Sequence, residues 1–280
     1  MGVRRPVVAG AFYPADPERL RSTINGCFTH SLGPGSLPGE KSDERRTIGV
    51  VCPHAGYMYS GPTAAYSYLH LASEPDPDSV IILCPNHTGL GGPVSLGGSD
   101  AWDTPLGRVE VDQELTSDIF KASDVIDVNE IAHYREHSIE VQLPFLQFIY
   151  RDFKIVPICM GLQDLETSRK VGQAIAQAVS ERDVLLMAST DLTHQESQSS
   201  ASAKDGGVID HIVKMDEVGL QGWVRSQRVT MCGYGPVSAV LIASKLLGAK
   251  ESRLLAYSTS GDTTGDYVAV VGYASAVITR

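Results

Sequence analysis

Six short runs made almost wholly of Val, Ile, Leu and Ala limit this chain more than any other feature: Ile48–Cys52, Val80–Cys84, Ile155–Met160, Val184–Ala188, Leu254–Tyr257 and Val268–Tyr273. A strand with one wet face alternates apolar and polar side chains. A run that is apolar at nearly every position must be covered on both faces. A sheet sandwiched between helices does this for several strands at once. Helical patterns lie between the runs, at Pro62–Leu71, Asp112–Lys121, Ser138–Tyr150, Asp164–Ser180, Gly206–Arg225 and Val237–Leu247. The alternation predicts an α/β fold with a mostly parallel central sheet flanked by helices.

Local details refine the expectation. Pro62 follows Gly61 and suits a first helical turn. Ile139, Leu143, Leu146 and Ile149 form a helical stripe in which Pro144 must stand early or kink the axis. Residues 88–111 are Gly-rich with short alternating pieces, a hairpin-like excursion, and 33–46 read as a loop. Repeats and long linkers are absent, so residues 1–280 are expected to form one domain. A net charge of −10 argues against nucleic acid or an anionic membrane as partner. The longest apolar run, 267–278, is interrupted by Gly272 and Ser275 and reads as a buried strand, short of a membrane span. The N-terminus lacks the apolar core of a secretory signal, and five scattered cysteines make no disulfide framework. A cytoplasmic protein is the expectation.

Open α/β sheets place ligands beyond the carboxyl ends of their strands. Three apolar runs here stop and deliver a histidine within a few residues: His54 after GVVCP, His87 after IILCPN and His194 after LLMASTDLT. One such histidine means little, but three among eight converge on one crevice if their strands are parallel neighbours. Asp191 stands three before His194, either holding a histidine's second nitrogen or capping a helix. His133 and His137, four apart, have the spacing of a metal pair on a helix face, though an acidic helix start explains the same stretch. Cys232, in TMCGYGP before a helix, is a thiol whose ionised form a helix N-terminus favours. Cys52, Cys84 and Cys159 read as buried thiols. Spacing alone selects His54, His87 and His194 as a three-histidine site.

Taken in order, AGAFYPAD, PHAGY, PNHTG, TPLG, EHSIEVQLPF, STDLTH and MCGYGP resemble the Memo family nearly end to end; its bacterial and archaeal members are often called AmmeMemoRadiSam system protein B. The resemblance implies a fold similar to the class III extradiol dioxygenases, whose iron is held by two histidines and a glutamate. In Memo proteins the corresponding pocket has two histidines and a cysteine. Carried over, the ligands are His54, His87 and Cys232, with His194, Asp191 and His137 as catalytic residues beside them. Thr88 stands where some members carry a second histidine, so that position is not a ligand here. Cysteine in place of glutamate puts catechol cleavage in doubt, because a thiolate shifts the charge on iron and is itself oxidisable.

Two functional readings follow. The first is a mononuclear Fe(II) site, with copper or zinc as alternatives, acting in redox or oxygen chemistry on an unknown small molecule. The second is a non-catalytic metal-binding or peptide-binding module, with protein partners in a radical-enzyme or signalling system. A zinc hydrolase using Asp191 or Glu140 as base is a third.

Overall fold

The computed structural model describes residues 2–179 and 182–280. The strands are β1 (Val3–Arg4), β2 (Thr47–Cys52), β3 (Ser79–Pro85), β4 (Val94–Leu96), β5 (Ala101–Thr104), β6 (Gly107–Val111), β7 (Asp127–Val128), β8 (Lys154–Met160), β9 (Val184–Ser189), β10 (His194–Glu196), β11 (Glu251–Thr259) and β12 (Val270–Thr279). The helices are α1 (Pro17–Thr29), α2 (Tyr57–Ala72), α3 (Gln113–Lys121), α4 (Leu143–Ile149), α5 (Leu165–Ala178), α6 (Gln198–Val213), α7 (Glu217–Ser226), α8 (Tyr234–Leu246) and α9 (Ser260–Thr264).

All the strands join one sheet, whose main path runs β1-β5-β6-β8-β3-β9-β2-β12-β10. Its centre, β8-β3-β9-β2, is parallel, and β12 closes against β2 antiparallel. The solid apolar runs are buried on both faces because each sends alternate side chains to two cores. Val51, Ile81, Leu83, Leu186 and Ala188 enter one, packed with α5 and α8; Val50, Val80, Ile82, Leu185 and Met187 enter the other, packed with α1, α2 and α4. Helix α8 is buried along ten of its residues, which is why its sequence is apolar all round.

Several boundaries differ from the sequence expectation. Helix α2 begins at Tyr57, with Pro62 inside it, because the Tyr57 ring is buried and its hydroxyl donates to the Val141 carbonyl at 2.7 Å. The expected helix over 206–225 is two helices. Met215 takes a φ of +51°, and Asp216 starts α7 by accepting the Gly219 N–H at 2.8 Å. The 138–150 stripe divides into a 3₁₀ turn at Glu140–Gln142 and α4, with Pro144 in the first turn of α4. Helix α1 was not expected, although Asp16-Pro17-Glu18 carries a cap, a first-turn proline and an acidic first turn. The Ser180 end expected for α5 lies outside the described residues. Strand β12 starts at Val270 and runs on to Thr279, and 88–111 do contain the β5–β6 hairpin.

Candidate metal centre

The parallel pairing of β3, β9 and β2 decides where the chemistry gathers. Their carboxyl ends lie side by side, with Cys52 in register with Ser189 and Leu83 with Ala188. The turns that follow bring in His54, His87 and Asp191, and the turn before α8 adds Cys232 from across the sheet end. One ligating atom each from His54, His87 and Cys232 lies within 4.8 Å of the others. Imidazole, imidazole and thiolate are a donor set for iron, copper or zinc.

His54 is almost wholly buried. Its Nδ1 lies 2.9 Å from Ser189 Oγ, its Nε2 3.3 Å from Cys232 Sγ, and its backbone N–H donates to Asp191 Oδ1 at 2.8 Å. Burial holds the ring well below the usual imidazole range, and nearby His137 and His87 push the same way, so it stands neutral with a lone pair to give.

His87 is more open and differently held. Its Nδ1 donates to Glu136 Oε1 at 2.9 Å, which turns Nε2 to the crevice. Glu136 is fully buried and also accepts the backbone N–H of His87 at 2.7 Å and the Ser138 hydroxyl at 2.7 Å. Burial opposes the Glu136 charge, yet hydrogen bonds and the charge of His87 hold this carboxyl well below its ordinary range. Burial likewise lowers His87, but Glu136 outweighs it and raises the imidazole. Glu136, His87 and His137 also offer atoms within 4.8 Å of one another. Glu136 Oε1 already takes four hydrogens, from the His87 ring, the His137 backbone and the backbone and hydroxyl of Ser138, so this oxygen serves as an orienting acceptor.

Cys232 is held by its surroundings. The Asp191 N–H donates to Sγ at 3.2 Å, and Gln163 Nε2 donates to the Cys232 carbonyl at 2.9 Å. Gly233 is required here: a β-carbon would lie 2.6 Å from Thr190 Cβ and 2.8 Å from the Ser189 carbonyl. The sequence suggested that the α8 N-terminus favours the thiolate. Burial, and then the Asp191 carboxylate, push the thiol up instead. Burial also raises Asp191 to about 6, against the backbone N–H of His54, which favours its charge. Asp191 does not cap a helix: β10 follows it, and α6 is capped by Ser197.

Of the other candidates, His137 belongs to the crevice. Its ring centre lies 4.7 Å from that of His87 and 5.4 Å from that of His54. His194 ends the same loop as Asp191 but donates through Nδ1 to the Thr230 carbonyl, 2.9 Å away, and is not among the three clustered donors. His133 points elsewhere, with Nε2 3.0 Å from the Ser95 carbonyl and its ring edge-on to Trp102, so no His133–His137 pair forms. Glu140, a candidate base, is fully buried and accepts from Arg4, the Val7 and Val8 N–H groups and the Tyr13 hydroxyl. It fastens the N-terminal segment so that the Phe12 ring lies 4.7 Å from His137.

Above the donors is a cavity of about 500 Å³, walled by Phe12, Tyr59, Val271 and Tyr273, with Gln195 and Asp266 among its polar groups. Neither lysine nor arginine is among the described residues that line it. Sequence reasoning missed Glu136, Gln142, Ser189 and Gln163, because each reaches a ligand, or in the case of Gln142 the Ser189 hydroxyl beside one, from a distant part of the chain.

A family model described as Memo-like protein matches residues 4–277. The chain belongs to the Memo family. A MEMO1 family protein of Methanothermobacter thermautotrophicus is 53% identical over 274 residues, covering 97% of this chain and 99% of that one. Another, from Methanopyrus kandleri, is 51% identical over 281 residues and covers 99% of each. Among solved structures, an uncharacterized protein of Escherichia coli K12 aligns with a TM-score of 0.55 over 84% of this chain and 100% of that one; at 13% identity this shows a shared fold alone. The match to the Memo model spans all the crevice residues named above, from Phe12 to Tyr273.

Proposed function

We infer that this Memo protein holds a mononuclear non-haem metal ion, iron(II) before copper or zinc, and uses it in redox or oxygen chemistry on a small substrate. The observation that carries this reading is the convergence of His54, His87 and Cys232 within 4.8 Å, with the Nδ1 of each imidazole already engaged elsewhere. Iron held there would supply the one-electron chemistry that lets dioxygen react with an organic molecule. The rest falls to the chain. Phe12, Tyr59 and Tyr273 give a substrate ring or chain an apolar wall and shed water from it. His137, which lines the cavity, and His194, three residues beyond Asp191 in the chain, move protons. Among the described residues the lining offers an anionic substrate imidazoles but no lysine or arginine. Five free thiols suit a reducing, cytoplasmic setting.

The test is oxygen uptake with the iron-loaded protein across candidate reductants and substrates. Uptake that His54→Ala abolishes and a surface substitution leaves intact supports the reading; no uptake under any condition counts against turnover. The exposed Met58, Tyr267 and Val268, close in sequence to the cavity lining, favour a second reading in which a peptide of a radical-enzyme or signalling partner docks there. Capture of such a partner by a variant lacking all three ligands would support it.

A further inference from the structure

The hydroxyl of Ser189, on the last residue of β9, is wholly buried and meets three polar groups. It lies 2.7 Å from the Ser138 carbonyl oxygen, 2.8 Å from Gln142 Nε2 and 2.9 Å from His54 Nδ1. A hydroxyl has one proton and two lone pairs. The Ser138 carbonyl can only accept, so it takes the proton. Gln142 Nε2 can only donate, and the amide cannot be turned round. The same nitrogen donates to the Pro53 carbonyl at 3.0 Å, and its oxygen receives the Tyr68 hydroxyl. One lone pair is left on Ser189, and it must be met by a hydrogen on His54 Nδ1.

We propose that Ser189, braced by Gln142 and the Ser138 carbonyl, is a positioning residue that locks His54 in its Nδ1–H tautomer and leaves Nε2 bare toward Cys232. His87 reaches the same end by another means, since its Nδ1 faces the carboxylate of Glu136. Without the Ser189 lock, the His54 proton can move to Nε2, where Cys232 Sγ at 3.3 Å would accept it. The lone pair that a metal needs would then be covered. The tautomer stands on the hydrogen bonds alone. Its consequence for metal binding rests on the proposed function.

The experiment records long-range proton–nitrogen correlations of side-chain-labelled histidines in the metal-free protein, with zinc titrated in parallel. The expected wild-type signal for His54 is a single Nδ1–H tautomer. Ser189→Ala should show a substantial Nε2–H population and bind zinc about 10- to 100-fold more weakly. Ser189→Thr, which keeps the hydroxyl, should restore the wild-type tautomer. A wild type with Nε2–H, or with a mixture, overturns the proposal without need of any variant. Ser189→Ala with the wild-type tautomer and zinc affinity overturns the role of Ser189. A wild type that carries the locked tautomer but binds no zinc upholds the lock and sinks the metal reading.

Discussion

Glu136 and Glu140 are the same residue type, four apart in the chain and both completely buried, yet they do opposite work. Glu136 faces an imidazole that can gain or lose its proton, and through it one edge of the crevice. Glu140 faces Arg4 at 2.8 Å, a guanidinium that stays charged at any working pH, and gathers two backbone N–H groups and the Tyr13 hydroxyl around it. Arg4 in turn donates to the His133 carbonyl at 2.7 Å and the Glu136 carbonyl at 2.6 Å. One carboxylate holds a ring of the crevice and the other holds the architecture. Burial does not separate the two roles; the partner does.

The contrast gives predictions of decreasing size. Glu140→Gln leaves the Arg4 charge buried without a counter-charge and should lower unfolding free energy by about 3–5 kcal/mol in urea titrations. A loss below about 1 kcal/mol would mean that the Arg4 network is not a structural anchor. Glu136→Gln should cost less stability, about 1–3 kcal/mol, because its partner can shed a proton. It should instead weaken metal binding about 10- to 100-fold by isothermal titration, through the looser His87 ring. Equal stability losses in the two variants would erase the distinction drawn here.

The sign with pH separates the pair further. The Glu136 carboxyl is depressed, so its contribution is present above the ordinary carboxylate range and is lost as pH falls through its lowered value. The His87 imidazole is raised, so its contribution is full below its ordinary value near 6.5 and is lost as pH rises through its folded value. In the metal-free protein, the stability gap between wild type and Glu136→Gln should therefore be widest at mildly acidic pH, between those ranges, and narrow toward pH about 9. A gap that widens on the alkaline side contradicts the assigned pairing. The smallest effect belongs to His194→Ala. Metal content should match the wild type and stability should change by less than about 1 kcal/mol, since the ring sits at the rim on Thr230.

Much of this was legible in the chain. Four of the six solid apolar runs became the parallel centre of the sheet, and a histidine after each of the two strands that flank β9 gave the crevice. Cys232 was not separable from His194 by spacing, because the thiol reaches the site from the turn before α8, which pairs with no strand. The family resemblance supplied it. The α6–α7 break was hidden because it depends on a left-handed Met215 that no local composition signals. Glu140 stood out in the sequence as a candidate base; its partners Arg4, Val7, Val8 and Tyr13 are more than 120 positions away in the chain. Long-range hydrogen bonds of this kind leave no periodic trace.

The most direct test of the metal centre is elemental analysis of protein purified without oxygen, wild type beside Cys232→Ser. The account predicts near-stoichiometric metal, iron foremost, in the wild type and a sharp loss in the variant. A wild type that stays metal-free after reconstitution, or a variant that keeps its full complement, would contradict it.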